Sequence, residues 1–167
     1  MTGVKTNVIT SVKITSEFDN DSPELKGLVN ATSENFAMEE VSADKAYLSQ
    51  DNLELINDKG AVPFIPFKSN SKGSGNGMIW KKMYYFFQLN NEEFLEHYHK
   101  RSNAETTVHM IKSKFGDSVR SKTWTAQVNE VLCKIICHNL YCVIMEMHTL
   151  GIKPYFDRKV IEVSEKS

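Results

Sequence analysis

Cysteine is scarce in this chain and oddly placed: 3 in 167 residues, Cys133, Cys137 and Cys142, all in one apolar stretch. An odd, bunched set excludes a disulfide framework and fits a reducing compartment. Net charge is nearly absent as well, at −1, which excludes a uniformly basic nucleic-acid binder. No signal-peptide pattern stands at Met1, so a cytoplasmic protein is expected. The longest apolar region, Val131 to Met147, is interrupted by Lys134, His138, Asn139 and Glu146, so no membrane span is expected there. The glycine-rich run Lys68 to Gly77 (KSNSKGSGNG) lacks a Gly-Lys-Ser/Thr order, which removes the nucleotide phosphate loop and leaves a basic, mobile connection. Internal repeats are missing.

What is present begins with size. A chain of 167 residues, 41% apolar and 25% charged, can form one domain with a sizeable core. The charge is unevenly spread. Residues 17–58 carry eleven Asp/Glu against Lys26 and Lys45, whereas residues 60–130 carry ten Lys/Arg against six acids. Lys68, Lys72, Lys81 and Lys82 have no acid between them, and such clustering can face phosphates in a neutral protein.

The β-branched run Val8 to Thr15 reads as a strand, with Asn7 as a hairpin turn after a short strand that includes Val4. Ser22-Pro23-Glu24 opens a helix carrying Leu25, Leu28 and Val29. Phe36 to Ala43 reads as a second strand with Asp44 at its carboxyl end. Ser49 caps another helix that Gly60 stops. Ala61 to Phe67, with two prolines, suits a sheet edge. Three helices follow: Met78 to Gln88, rich in aromatics for packing; Glu92 to about Lys114; and Thr123 to His148. The last puts Val128, Val131, Leu132, Ile135, Ile136, Leu140, Val143, Ile144 and Met147 on one broad face and ends at Gly151 and Pro154. Cys133 and Cys137 are expected as small core residues there rather than as zinc ligands with His138. Strands alternating with helices predict an α/β layout around a small mixed sheet.

Within the second of those helices lies the spacing Tyr98-x2-Arg101-x3-Glu105-x6-Lys112. At about 100° per residue the four fall within roughly 60° of one another. The plain reading is a solvated, ion-paired helix face. The sharper reading is a metal-ligating carboxylate among phosphate-binding groups. Asp44 belongs with Glu105, because side chains at strand carboxyl ends meet the crevice of an α/β sheet; as a plain alternative it is a turn-forming Asp. Two converging carboxylates can hold Mg²⁺ or Mn²⁺ for in-line attack at a phosphodiester. A third, bridging acid has no clear candidate: Asp19 and Asp21 sit in an expected loop.

These residues resemble the DDE transposases of bacterial and archaeal insertion sequences, in the subgroup bearing Y-x2-R-x3-E-x6-K. The resemblance runs from about Gly3 to Gly151 and includes Val4-Lys-Thr-Asn-Val-Ile-Thr-Ser-Val, Ala43-Asp-Lys-Ala-Tyr47 and Gly60-Ala-Val-Pro-Phe-Ile-Pro-Phe-Lys68. It implies a ribonuclease-H-like mixed sheet flanked by helices, N-terminally truncated, with a helical C-terminal part. Residues 1–150 would be a partial catalytic domain and 151–167 a loosely ordered tail. It further implies DNA transposition by metal-dependent phosphodiester cleavage and strand transfer. Asp44 would be the second catalytic Asp and Glu105 the catalytic Glu, both holding Mg²⁺ or Mn²⁺. Tyr98, Arg101 and Lys112 would contact phosphates of double-stranded DNA at transposon ends. The partners implied are end and target DNA and a second copy in a synaptic complex, on the nucleoid when DNA is bound. The family's first catalytic Asp lies on a strand before the matching region, so the chain is expected to be a fragment inactive alone. The alternative is a non-catalytic DNA-binding remnant.

Overall fold

A computed structural model describes residues 1–15, 23–74 and 77–153. The proposed cap Ser22, the acids Asp19 and Asp21, part of the 68–77 loop, the helix stop Pro154 and most of the 151–167 tail lie outside the described residues.

Helix α1 (Glu24–Ser33) buries Leu25, Val29 and Thr32, one stripe at i, i+4 and i+7. Strand β1 (Glu40–Ser42) follows, then a 3-10 turn at Lys45–Tyr47. Helix α2 (Gln50–Asp58) is capped by the Ser49 hydroxyl, which accepts from the Asn52 N–H at 3.2 Å, and Leu53 and Ile56 are fully buried. Gly60 ends it at φ +82°, a conformation costly for any residue with a Cβ. Strand β2 (Val62–Phe64) then returns parallel to β1, pairing Glu40 with Val62 and Ser42 with Phe64. Pro63 is tolerated because both strands of this two-stranded sheet are edges.

Among the described residues the sheet is smaller than the sequence suggests, a single parallel pair. The 36–43 segment pairs only over Glu40–Ser42. The expected strand 8–15 makes a single antiparallel bridge, Thr2 to Ile9, around Asn7 at φ +57°. The hairpin turn was legible. Its strands stay short because Ser11 and Thr10 turn their hydroxyls to Leu28 and Thr32 of α1 instead of continuing a ladder.

Helix α3 (Met78–Leu89) lays its aromatics on the sheet. Phe67 meets the rings of Trp80, Tyr84 and Phe87 at 5.0, 5.3 and 5.8 Å. Phe94, fully buried on α4 (Asn91–His99), meets Phe64, Phe86 and Phe87 at 5.1–5.9 Å. These edge-on and tilted contacts form the central core.

The expected single helix 92–114 is two helices, α4 and α5 (Ser102–Phe115). At the junction the Lys100 and Arg101 N–H groups bond three residues back, to His97 and Tyr98, a tighter turn than an α-helix makes.

Helix α6 (Trp124–Thr149) corrects the expectation of one broad core face: only His138 and Cys142 are buried on it. Ile136, Leu140, Val143 and Ile144 are exposed, as are Cys133 and Cys137. The face that packs is held by polar bonds. Asn139 accepts from the Ile9 N–H and donates to its carbonyl, both at 2.8 Å, and His138 Nε2 donates to the Asn7 carbonyl at 2.9 Å. Gly151 at φ +66° and the Ile152 N–H on the Met147 carbonyl close the helix in a Schellman turn.

Candidate active site

Asp44 stands two residues after the end of β1 in an extended conformation (φ −65°, ψ 154°). One oxygen, Oδ1, accepts from the Ala46 N–H at 3.2 Å, which is the turn-forming role. The other, Oδ2, lies 3.8 Å from Arg101 Nη1. That same nitrogen donates to Glu105 Oε1 at 3.0 Å, while Arg101 Nε donates to the Tyr98 hydroxyl at 2.8 Å. Thus Asp44, Tyr98, Arg101 and Glu105 come together although they lie on β1's end, α4, the junction and α5. The kink between the two helices does not separate Tyr98 from Arg101, because both junction residues keep right-handed helical dihedrals.

The carboxylates remain accessible: the Asp44 side chain is 51% exposed and that of Glu105 71%, against 35% for Arg101. Burial alone would lower the Arg101 pKa, but the Tyr98 hydrogen bond and the charges of Tyr98, Glu105 and Asp44 raise it above its ordinary value. Asp44, Arg101 and Glu105 line a cavity of about 300 Å³ together with Met1, Val41 and Leu25. Lys112 is two turns further along α5, beside an open groove it shares with Glu105, Val108 and His109. It belongs to the same helix stripe but not to the Arg101 cluster.

One cluster escaped the sequence reading. Glu40 on β1 pairs through Oε2 with His97 Nδ1 at 2.5 Å and through Oε1 with Lys100 Nζ at 2.6 Å. The Ser42 hydroxyl donates to the His97 carbonyl at 2.8 Å, and the His97 ring stacks on Phe64 at 4.3 Å. The end of α4 is therefore bolted to both strands immediately before Arg101, which sets where Arg101 and Glu105 stand relative to Asp44. Burial would push the Glu40 carboxyl up, but the hydrogen bonds and charges of Lys100 and His97 outweigh it and hold the group below the usual carboxylate range. The available signal was period two: Glu40, Ser42 and Asp44 alternate along one strand direction. Glu40 also lines the cavity, but both of its oxygens are already engaged.

A bound divalent ion can be tested against this geometry. Arg101 Nη1 is one positive centre reached by oxygens of both Asp44 and Glu105, so the two carboxylates fit a cation placed between them. Among the described residues, no group of three or more His, Cys, Asp and Glu side chains is placed to hold a metal ion.

No curated protein and no solved structure matches the chain. A family model described as the transposase DDE domain matches residues 1–140, which include Asp44, Tyr98, Arg101, Glu105 and Lys112. The match covers most of the chain, and the protein belongs to the transposase DDE domain family.

Proposed function

We propose that this chain acts as an insertion-sequence transposase catalytic domain, ribonuclease-H-like and of the Y-x2-R-x3-E-x6-K subgroup, which cleaves transposon-end DNA and joins it to target DNA. The observation that carries the reading is the shared guanidinium: Arg101 reaches Asp44, Glu105 and Tyr98, and it lines one cavity with the two carboxylates. In this reading Asp44 and Glu105 hold Mg²⁺ or Mn²⁺. When bound, the ion supplies the charge that activates a water or hydroxyl and offsets charge on the leaving oxygen.

The chain's own residues position the DNA. Arg101 presents a fork suited to two phosphate oxygens, and turning it toward DNA frees both carboxylates. Tyr98 orients that fork through its hydroxyl. Lys112, about 10 Å beyond Glu105 along α5, offers a point charge to a phosphate further along the backbone. The Glu40–His97–Lys100 clamp keeps the helix junction on the sheet while Arg101 moves.

The third carboxylate of such a site would come from outside the described residues. Support lies in the cavity beside β1, lined by Glu40 to Asp44 on one side and by Met1, Thr2 and Val4 of the hairpin on the other. Among the described residues β1 has only β2 as a strand neighbour, so no strand lies on its other edge. The restricted carboxylate set also favours a second reading, a DNA-binding remnant without cleavage.

Duplex DNA titrations across a salt series test the phosphate contacts, with Mg²⁺-dependent nicking of end DNA measured in parallel. Arg101→Ala and Lys112→Ala are each expected to weaken binding and flatten the log–log salt slope by about 1. Binding unchanged in both variants would remove the phosphate-contact assignment. Salt-sensitive binding without nicking by this chain fits both readings. Mg²⁺-dependent nicking that is lost in Glu105→Gln selects the first.

A further inference from the structure

Three α6 side chains, Gln127, Glu130 and Lys134, share one stripe at i, i+3 and i+7 and all bond to a single loop, residues 116–121. Glu130 accepts from the Arg120 N–H at 3.0 and 3.1 Å, and from the Ser121 N–H and hydroxyl at 3.0 and 2.8 Å. Lys134 Nζ donates to the Ser118 carbonyl at 2.8 Å and to that of Gly116 at 3.4 Å. Gln127 donates to the Ser121 carbonyl at 3.1 Å. The charged pair lies 3.6 Å apart and is largely covered, with side chains 15% exposed for Lys134 and 23% for Glu130. None of residues 116–121 is buried, so no apolar core fixes this loop. Its peptide groups are fixed instead, the N–H side by a carboxylate and the C=O side by an ammonium. That arrangement leaves the basic side chains out of the brace. Arg120 and Lys122 are exposed and form no ion pair among the described residues.

We propose that the 116–123 segment is a separate contact for the phosphate backbone of duplex DNA, with Arg120 and Lys122 on phosphates and Glu130 as the residue that positions them. The proposal rests on the reading of this chain as a DNA-binding transposase domain and adds a site beyond Arg101 and Lys112. Charge favours that occupant: from Lys112 to Asn129 the cations Lys112, Lys114, Arg120 and Lys122 stand against Asp117 alone. Lys114 is held over the Tyr141 ring at 3.3 Å, which leaves Arg120 and Lys122 as the free pair of the loop. Continuity favours it too. The loop starts on the turn of α5 that carries Lys112, whose carbonyl accepts from the Gly116 N–H at 2.9 Å. From Arg101 to the end of α5 is about 21 Å, the rise of roughly six base pairs, so cations spread over this length suit a polymeric anion better than a single phosphate. The brace explains how an exposed loop can bind well. A free loop loses backbone entropy when it docks, whereas this one has already lost it on folding. Glu130 places an acid near the contact, but its charge is taken up by two N–H groups, a hydroxyl and Lys134.

Titration of duplex DNA with the full chain across a salt series, without divalent ions, is the direct test. Arg120→Ala and Lys122→Ala, both at exposed positions that leave the core intact, should each weaken binding roughly tenfold at low salt and flatten the log–log slope by about 1. Glu130→Gln gives the sharper result. It raises the net charge from −1 to zero, so charge alone would tighten binding. Loss of the brace acts the other way, because the amide keeps one acceptor oxygen and turns an NH2 group toward the backbone N–H groups. The expected outcome is weaker binding and a slope flatter by about 1 to 2. In the Arg120→Ala/Lys122→Ala double variant the same Glu130→Gln change should cause no further loss, since Glu130 acts through those two side chains. A further loss there would assign Glu130 a general structural role and overturn the positioning claim. Tighter or unchanged binding in Glu130→Gln overturns it as well. If Arg101→Ala and Lys112→Ala weaken binding while Arg120→Ala and Lys122→Ala do not, the loop assignment falls and the wider DNA reading stands. A wild-type chain that binds no duplex at any salt concentration overturns both.

Discussion

Glu40→Gln should destabilise the protein at neutral pH by about 2 kcal/mol, and the loss should shrink in acid. The magnitude follows from the two bonds on the carboxylate. The Lys100 arm at 2.6 Å is partly solvated, with the lysine 39% exposed, and contributes less than about 1 kcal/mol. The His97 arm at 2.5 Å is shielded by the Phe64 ring, and a hydrogen bond of this kind contributes about 1–2 kcal/mol. For a chain of 167 residues, about 2 kcal/mol corresponds to a fall in Tm of roughly 4–8 °C. The pH sign follows from the direction of the shift. The folded-state pKa of Glu40 is below the ordinary 4.5, so its contribution is fully present above 4.5 and is lost as pH falls through the lowered value. Thermal melts followed by near-ultraviolet circular dichroism, wild type against variant, should therefore show a wide gap at neutral pH that closes in acid. A neutral-pH gap below about 1 °C, or one that stays constant well below pH 4.5, would refute the clamp as a stabilising contact.

Other substitutions probe independent parts of the fold. Phe94→Ala empties the ring cluster around Phe64, Phe86 and Phe87 and should cost about 3–5 kcal/mol in urea unfolding; a loss under about 1 kcal/mol would mean that the core collapses around the gap. Glu130 has its pKa lowered to about 2, chiefly by the Arg120 N–H, then by the Ser121 hydroxyl and N–H. Its hold on the 116–121 loop should therefore persist above the ordinary carboxylate value of 4.5 and fade as pH falls toward about 2, read as falling protection factors at both amides, each taken against the free amide's exchange rate at the same pH. Equal exchange in Glu130→Gln and wild type at neutral pH would contradict that anchor. Asn139→Ala leaves the Ile9 N–H and carbonyl without their partner and should cost about 1–3 kcal/mol, with earlier proteolysis at the hairpin. An unchanged urea midpoint would show that the hairpin is held by other contacts.

The sequence by itself determined the local pieces and the chemical alphabet of the site. Ser49 and Gly60 bounded α2 because capping and a positive φ are properties of a few residues. Asn7 announced the hairpin turn for the same reason. Asp44 could be placed at a strand end, and Tyr98, Arg101 and Glu105 on one stripe, from spacing alone. Tertiary structure decided what spacing cannot encode. A helix run from Glu92 to Lys114 is consistent locally, yet it breaks at Lys100 and Arg101 where Glu40 and Ser42, some sixty residues earlier, hold the end of α4 against the sheet. Pattern likewise shows that α6 is apolar but not which apolar side is covered, because burial depends on where the hairpin docks, and it docks through Asn7 and Ile9. The site is of the same kind. Its residue types were readable one by one, but the meeting of Asp44 and Glu105 at a single guanidinium exists only because the strand end and the two helix ends are packed together.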